Sequence, residues 1–318
     1  MAKKQIAVLD DWMDIAAQMV PWSECEDCAF TFFKEPFADE DAAKEALQPF
    51  HGLLLMRERM PLKASLIDAL PNLEIVVTAG RRNLSVDHER LKQRNIIYCG
   101  TDAVGTGTVE LTWSLILNLF HRTHIHAEAM RQGLWQTCLG NMLEGKTIGI
   151  VGLGRLGGRV AQIAQAFGMN VIAWSENMTA EQAAQYGATH VSKQELFAQS
   201  DLVTIHLVHS PRTRGIVDRA SLEQMKPSAY LVNTSRAGII EEDALLDLLQ
   251  QEKIAGAALD VYNQEPLPAD ANIRQCPNLL LTPHVGYVSH ENLHVFYAQM
   301  LENLQSWCGG DVMRRLDL

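Results

Sequence analysis

The sequence lacks any long hydrophobic run. No apolar stretch approaches the roughly 18 residues that suggest a membrane-spanning helix. The first apolar stretch, Ile6–Leu9, ends at two aspartates and is too short for the core of a secretory signal. We therefore expect a cytoplasmic protein without a membrane partner.

An excess of positive charge is also absent. The 318 residues include 27 lysines and arginines against 38 aspartates and glutamates, for a formal net charge of −11. A chain of this charge is repelled by nucleic acid and by anionic lipid. We expect neither as a partner, and an anionic substrate would have to be bound by a local group of basic side chains.

Cysteine is scarce, and only Cys25 and Cys28 form a C-x-x-C pair. No second pair follows, and no two histidines have the spacing of zinc ligands. Cysteines of an intracellular protein are expected to be reduced. We therefore expect no bound metal, and surface or half-buried thiols at this pair.

His121, His124 and His126 are expected to lie at a solvated helix end, because they do not share one helical face.

The composition is that of an ordinary globular protein, and the length exceeds the usual size of one core, which predicts two domains. Short apolar runs alternate with helical patterns in the first hundred residues. Strands are predicted at Ile6–Leu9, Leu53–Met56, Ile75–Thr78 and Ile96–Tyr98, and helices at Ala42–Leu47 and Leu62–Leu70. This alternation predicts a parallel sheet covered on both faces.

A long helix is predicted over Thr108–Arg131, and a second alternating series follows it. Its strands are predicted at Thr147–Val151, Val171–Trp174, Leu202–Leu207, Ala229–Val232, Ala257–Val261 and Leu279–Leu281. Its helices are predicted at Leu156–Phe167, Lys193–Ala198, Arg219–Met225 and Glu241–Gln250. These patterns predict a larger, doubly wound α/β domain, and a last helix is predicted over Ser289–Trp307.

A glycine-rich turn follows the first strand of this second series. It reads Gly152-Leu153-Gly154-Arg155-Leu156-Gly157 and matches G-x-G-x-x-G between a strand and a helix. In such a turn the first glycine permits the tight bend, the second lets a pyrophosphate approach the backbone, and the third lets helix and strand pack closely. The helix N-terminus offers free N–H groups to the phosphates. The motif therefore predicts a dinucleotide site.

The residues after the next strand bear on the identity of the dinucleotide. Glu176 follows Trp174 and Ser175, and a carboxylate there accepts hydrogen bonds from a ribose 2′-hydroxyl and repels a 2′-phosphate. This pattern favours NAD. NADP is the alternative if Glu176 points to solvent, because Ser175 and Asn177 would then accommodate the phosphate.

Three reactive side chains follow three predicted strands of the second domain. They are Arg236, Glu265 and His284. In an open α/β sheet, ligands bind beyond the carboxyl ends of the strands, so these side chains are expected near the cofactor. A histidine paired with a glutamate is a plausible proton donor, and an arginine suits a carboxylate or a polarised carbonyl.

These segments resemble a known family over nearly the whole chain. The resemblance is densest in residues 143–154, in Leu231-Val232-Asn233-Thr234-Ser235-Arg236, in residues 259–266 and in Thr282-Pro283-His284. The family is that of the D-isomer-specific 2-hydroxyacid dehydrogenases, which include phosphoglycerate, glycerate and hydroxypyruvate-type enzymes.

The resemblance implies NAD-dependent hydride transfer between nicotinamide and C2 of a small D-2-hydroxy or 2-keto acid. It implies that Arg236 binds the substrate's carboxylate and carbonyl, that His284 is the acid/base and that Glu265 supports His284. Asp260 would lie near the nicotinamide amide, and main-chain N–H groups of Thr78-Ala79-Gly80 would hold the carboxylate.

The resemblance also implies how the chain is divided. The last helix would return to the first domain, so that residues 1–101 and 289–318 form a flavodoxin-like substrate-binding domain. Residues 102–288 would form a Rossmann domain, with an active-site cleft between the two. Such enzymes are usually dimers, so we expect a homodimer.

Two departures from the family pattern concern the substrate. Ala237 stands where glycine commonly follows the arginine, and Arg81-Arg82-Asn83 replaces the commoner small or neutral residues. Arg57, Arg59, Arg81 and Arg82 lie near predicted strand ends. One or two of them, with Arg57 and Arg82 as the candidates, would recognise a second anionic group; the alternative is that they pair with neighbouring acidic residues such as Glu58, Asp87 and Glu89.

Two other functions are weighed against the dehydrogenase. One is a catalytically silent, NAD-sensing binding protein like the corepressor relatives of this family. The other is oxidation of formate or phosphite, against which Glu265 argues, because a formate-type site pairs its histidine with glutamine.

Overall fold

The computed structural model describes residues 2–316, and the chain divides into two compact units. Unit 1 runs to Gly105 and resumes at Val288, whereas unit 2 is Thr106–Tyr287. The sequence placed the two boundaries at 101/102 and 288/289, so the observed divisions differ by four residues and by one residue.

Unit 1 contains a five-stranded parallel sheet. Its strands are β1 (Lys4–Val8), β2 (Cys28–Phe32), β3 (Gly52–Leu55), β4 (Ile75–Thr78) and β5 (Ile97–Gly100). The order β2-β1-β3-β4-β5 is that of flavodoxin-like folds. Strands β3 and β4 are buried throughout, as expected for the centre of a sheet covered on both faces.

Unit 2 contains a seven-stranded parallel sheet in the order β12-β11-β10-β9-β6-β7-β8. Its strands are β6 (Thr147–Val151), β7 (Asn170–Trp174), β8 (Thr189–His190), β9 (Leu202–Ile205), β10 (Tyr230–Asn233), β11 (Gly256–Leu259) and β12 (Leu279–Leu281). The strand order reverses between β6 and β9, which is the position where doubly wound sheets bind dinucleotides. The α/β class with two doubly wound parallel-sheet units is therefore confirmed.

The helices cover both sheets. They are α1 (Ala16–Met19), α2 (Glu40–Leu47), α3 (Ala64–Ala69), α4 (His88–Gln93), α5 (Gly107–His121), α6 (Thr123–Arg131), α7 (Arg155–Ala166), α8 (Ala180–Ala184), α9 (Lys193–Gln199), α10 (Arg219–Leu222), α11 (Glu242–Gln250) and α12 (His290–Cys308). Ser289 caps α12 by accepting a hydrogen bond from the Asn292 N–H, and Gly309 follows the last helical residue, Cys308, as the C-cap. Among these helices none is long and apolar enough to cross a membrane.

The structure corrects several sequence-based expectations. The single helix predicted over Thr108–Arg131 is two helices, because Arg122 adopts a left-handed conformation (φ 53°) that interrupts the hydrogen-bond ladder. The short strands β2 and β8 were not predicted. Cys25 and Cys28 are buried, each 4% exposed, so the expectation of surface or half-buried thiols was wrong for this pair.

Candidate active site

The glycine-rich turn has the geometry that its motif predicts. Gly152 has a φ of +96°, and a Cβ there would lie 2.9 Å from the main chain of His206 at the end of β9. A Cβ on Gly157 would lie 2.1 Å from Gly152 O, so helix α7 can approach the turn only without that side chain. A Cβ on Gly154 would meet nothing within 4 Å, which leaves the backbone open to a phosphate.

The N-terminus of α7 completes this phosphate cradle. Gly154 is the N-cap, and Arg155, Leu156 and Gly157 form the first helical turn. N–H groups of a first helical turn have no acceptor within their own helix and favour an anion. The geometry of the predicted dinucleotide-binding residues therefore suits the binding of a pyrophosphate group.

Ser175 and Glu176 follow β7 directly, beside the glycine turn. Gly152 N–H donates to Trp174 O at 2.9 Å, which ties the turn to the end of β7. Glu176 is exposed, and Ser175 is partly buried. The predicted contact of Glu176 with a ribose hydroxyl stays a prediction, because the structure fixes only the position of this residue at the sheet edge.

Arg236 is held in an extended conformation beyond β10. Asn233, which is fully buried, donates through its side chain to Arg236 O at 3.0 Å and accepts from the Ser235 N–H at 2.9 Å. Arg236 Nη1 donates to Ser235 O at 2.8 Å. The amide of Asn233 thus fixes the turn that presents the guanidinium, a role that the sequence analysis missed although Asn233 lies inside the motif.

His284 and Glu265 form a close pair. His284 Nδ1 lies 2.6 Å from Glu265 Oε2, and both side chains are about one quarter exposed. Glu265 Oε1 accepts from the Tyr262 N–H at 2.9 Å. Burial acts to raise the pKa of Glu265, but the hydrogen bond and charge of His284, with Arg236 nearby, lower this pKa below its usual value. Glu265 is therefore a carboxylate that orients the imidazole and leaves its Nε2 available for proton transfer.

Asp260 has a second role that the sequence did not suggest. It is 1% exposed, and its two oxygens accept from the Thr282 hydroxyl and from the N–H groups of Val285 and Gly286, at 2.7–3.0 Å. Burial raises the pKa of Asp260 in spite of these bonds. The carboxyl group therefore shapes the turn in which His284 has a φ of 52°. Its predicted contact with the nicotinamide amide stays a prediction.

A cavity of about 520 Å³ lies at the carboxyl ends of β10 and β11. Its lining includes Arg236, Tyr262, Glu241 and His209. The Tyr262 hydroxyl donates to Thr282 O at 2.8 Å and so links the turns after β11 and β12. Neither Tyr262 nor His209 was singled out as a site residue from the sequence, although Tyr262 lies within residues 259–266, one of the segments that carry the family resemblance.

The predicted carboxylate-binding loop of unit 1 is Thr78-Ala79-Gly80. Ala79 N–H donates to Leu55 O at 2.9 Å, and Gly80 N–H donates to Thr101 Oγ1 at 2.8 Å. Both N–H groups thus have acceptors in the protein, and a carboxylate at Gly80 would have to replace the Thr101 hydroxyl. The substrate role of this loop stays a prediction.

The arginines of unit 1 are held differently from one another. Arg57 lies over Gly80, where a Cβ would be 2.2 Å from its Nη1, and its Nε is 3.7 Å from Glu58. Arg59 donates to Asp10 O at 2.7 Å. Arg81 pairs with Asp102 at 2.6 Å, a partner that the sequence analysis did not consider, and Arg82 is exposed.

The turn that holds Arg57 is fixed by Asn83, a buried residue of the unusual Arg81-Arg82-Asn83 segment. Its amide donates to Arg57 O at 2.5 Å and to Thr78 Oγ1 at 3.0 Å. Asn83 therefore joins the carboxyl ends of β3 and β4, which places Arg57 beside the predicted substrate loop.

Unit 2 combines a phosphate cradle with a histidine–glutamate pair at the same sheet edge, an arrangement that suits a nucleotide-dependent oxidoreductase. Comparison with family models narrows this class. Residues 113–286 match the model described as the D-isomer specific 2-hydroxyacid dehydrogenase, NAD binding domain. The chain belongs to this family, as its motifs predicted. Unit 2 contains the family's NAD-binding domain, so NAD is its cofactor.

Individual relatives agree with the family. The chain is 34% identical to a glyoxylate reductase of Aeropyrum pernix over 261 residues, which cover 79% of this chain and 78% of the relative. It is 30% identical to a D-3-phosphoglycerate dehydrogenase of Synechocystis sp. over 262 residues, but spans only 47% of that relative's length. A solved phosphoglycerate oxidoreductase of Vibrio cholerae O395 superposes with a TM-score of 0.91 at 33% identity, covering 98% of this chain and all of the other.

Proposed function

We propose that the protein reduces a small 2-keto acid to the D-2-hydroxy acid, or catalyses the reverse reaction, with NAD(H). The single observation that carries this proposal is the 2.6 Å pair of His284 Nδ1 and Glu265 Oε2, close to Arg236. NADH supplies the hydride that reaches C2. The residues of the chain bind the acid and move the proton.

His284 is the proton donor in this mechanism. Its Nδ1–H donates to Glu265, so the second proton of the imidazolium lies on Nε2 and passes to the carbonyl oxygen as C2 is reduced. The carboxylate of Glu265 accepts this hydrogen bond and holds the imidazole in that orientation. Arg236 binds the substrate carboxylate with its planar fork of donors, which also polarises the adjacent carbonyl.

The substrate class follows from charge. A 2-keto acid of the glyoxylate, hydroxypyruvate or phosphohydroxypyruvate type offers a carboxylate for Arg236. We propose that the Gly80 N–H binds the same carboxylate, and that Arg57 or Arg82 selects substrates with a second anionic group. Glu176 would accept the ribose hydroxyls of NAD. An Arg82→Ala variant whose relative activity on anionic and uncharged 2-keto acids is unchanged would remove Arg82 from this role.

The first experiment follows the absorbance of NADH and NADPH in parallel with glyoxylate, hydroxypyruvate, pyruvate, 2-oxoglutarate and phosphohydroxypyruvate. Oxidation of NADH by one of these acids is the expected result and names the substrate. Oxidation of NADPH alone would keep the reaction and remove the role of Glu176. Cofactor binding without oxidation by any acid would favour the NAD-sensing binding protein instead.

We also propose a homodimer through the end of α6 and the segment between α6 and β6 in unit 2. Trp135 is 75% exposed and Leu139 is 90% exposed, and Met130, Leu134 and Met142 are at least half exposed. Apolar surface of this kind marks an interaction site, and a second copy is its natural partner in a family of dimers. Sedimentation should show a dimer that Trp135→Glu with Leu139→Glu converts to monomer. Leu84→Glu, on an exposed leucine of unit 1, should leave the dimer intact.

A cytoplasmic location of the protein stays a prediction.

A further inference from the structure

Three thiols from distant parts of the chain meet in unit 1. Cys25 precedes β2, Cys28 is the first residue of β2, and Cys308 is the last residue of α12. The three sulfur atoms lie within 4.8 Å of one another, and the Sγ atoms of Cys28 and Cys308 are 3.7 Å apart. The sequence offered only the C-x-x-C pair, because Cys308 lies 280 residues from Cys28.

The arrangement is held by contacts that do not involve sulfur. Cys28 N–H donates to Cys25 O at 3.1 Å, which turns the C-x-x-C segment back on itself. Gln305, on the last turn of α12, donates to Glu24 O at 3.3 Å. Trp22 packs edge-on against Tyr297 of the same helix, with ring centroids 5.9 Å apart. The thiols therefore meet on a framework that is fixed without them.

We propose that Cys25, Cys28 and Cys308 bind one thiophilic d¹⁰ cation of the Zn²⁺ class. Tetrahedral zinc with sulfur at about 2.3 Å places neighbouring sulfurs about 3.8 Å apart, close to the 3.7 Å between Cys28 and Cys308. A disulfide between the same two atoms would require them to approach to about 2.05 Å, a larger movement. The separation of the Cys28 and Cys308 sulfurs thus suits a shared cation better than a covalent bond.

The burial of the three residues agrees with a site that is reached from one side. Cys25 and Cys28 are 4% exposed, whereas Cys308 is partly exposed. A cation would enter beside Cys308, and solvent would supply the fourth ligand there. Binding replaces three S–H bonds by three S–metal bonds and releases three protons to water, with no change of oxidation state. The bound cation would tie the end of α12 to the edge strand β2.

The test uses the full-length, reduced protein freed of metal by a chelator, with Cd²⁺ as the probe. Cadmium thiolates absorb in the ultraviolet by sulfur-to-metal charge transfer. We expect this band to saturate at one Cd²⁺ per chain and Zn²⁺ to displace it. Cys308→Ser and Cys25→Ser should each lose the stoichiometric band. Cys138→Ser, on a partly buried thiol of unit 2, and Cys276→Ser, on a buried one, should keep it.

Thermal unfolding separates loss of the site from loss of the fold. Zn²⁺ should raise the unfolding temperature of the wild type and of Cys138→Ser. It should not raise the unfolding temperature of Cys308→Ser. If Cys308→Ser does not fold, Cys308→Ala replaces it in this test. The proposal is overturned if Cys308→Ser keeps the band, if the wild type shows none, or if the purified chain carries a Cys28–Cys308 disulfide and takes up no Cd²⁺ after reduction. These readouts do not use enzyme activity, so they are independent of the proposed reaction.

Discussion

Both units present charged side chains at the carboxyl ends of their strands, but the charges have different partners. In unit 2, the imidazole of His284 lies 2.6 Å from the carboxylate of Glu265, so two side chains of the site contact each other directly. In unit 1, Arg59 donates to the main-chain oxygen of Asp10, and the carboxyl group of Asp10 is buried beside Trp12 and Arg59. The first arrangement suits a proton transfer, whereas the second buries a carboxyl group, which reduces stability.

At the strand ends of unit 2 a sequence motif identifies the residues of the site. At the strand ends of unit 1 only the structure shows how the charged side chains are held. The three residues of unit 2 each lie within six residues of a strand end, so a sequence motif identifies them. In unit 1, Arg59 is held by a main-chain oxygen, and no residue pattern predicts which carbonyl an arginine will contact. Changes in unit 2 should therefore alter turnover, and a change at Asp10 should alter stability.

The largest expected effect is that of His284→Ala. Loss of the proton donor should lower kcat by about 10²–10⁴ while the fold remains, because the side chain is at the sheet edge and not in the core. Steady-state oxidation of NADH with the best 2-keto acid measures this. His121→Ala, at the exposed end of α5, is the matched control and should retain wild-type turnover. Near-normal turnover of His284→Ala would refute the assignment of the proton donor.

The second effect is on stability in unit 1. Burial raises the pKa of Asp10 from 3.8 to about 6, partly offset by the charge of Arg59. Because the folded-state pKa lies above the unfolded value, the cost of ionising Asp10 is absent below about pH 4, develops between pH 4 and 6, and is complete above pH 6. Asp10→Asn should therefore stabilise the protein above pH 6 by up to about 3 kcal/mol. Asparagine also tolerates the φ of 60° at this position.

Denaturant unfolding of the wild type and of Asp10→Asn from pH 4 to pH 8 tests this prediction. The difference in free energy of unfolding should be near its minimum at pH 4 and should reach its plateau above pH 6. Asp14→Asn, at an exposed aspartate of positive φ in the same unit, is the control. A difference that is constant with pH would contradict the buried-carboxyl interpretation.

The third effect tests the pairing in unit 2. Glu265→Gln keeps a hydrogen-bond acceptor for His284 and removes the charge, so kcat should fall by about 10–10². Glu242→Gln, which changes a carboxyl group bonded to Asn263, should leave kcat unchanged. A kcat of wild-type size in Glu265→Gln would separate Glu265 from the proton transfer. The folded-state pKa of Glu265 is lowered, so its pairing stabilises the fold above the usual carboxyl range and this contribution is lost as pH falls.

The smallest expected effect concerns the cofactor end of the same sheet edge. Glu176→Ala removes the proposed acceptor for the ribose hydroxyls, so the ratio of kcat/KM for NADH to that for NADPH should fall about tenfold. Glu181→Ala, an exposed glutamate on α8, is the control. An unchanged ratio would mean that Glu176 faces solvent and that the preference for NAD is set elsewhere.

Much of the fold could be predicted because its signals are local. Ile75–Thr78, Thr147–Val151 and Leu279–Leu281 were predicted with the bounds that the structure shows, since buried parallel strands are short, continuous apolar runs. The break at Arg122 could not be predicted, because a left-handed residue inside a helical pattern leaves the periodicity intact. The two-residue strand β8 has too few residues to form a pattern.

The sequence by itself determined the family, the phosphate cradle and the three residues Arg236, Glu265 and His284, because each of these depends on residue types at fixed spacing beside a strand. Only the tertiary structure showed that Asp260 accepts three hydrogen bonds within the turn of His284, that Arg57 lies over Gly80, and that Cys308 joins Cys25 and Cys28. In each case the partners are brought together by the packing of separate strands and helices. No local pattern carries that information.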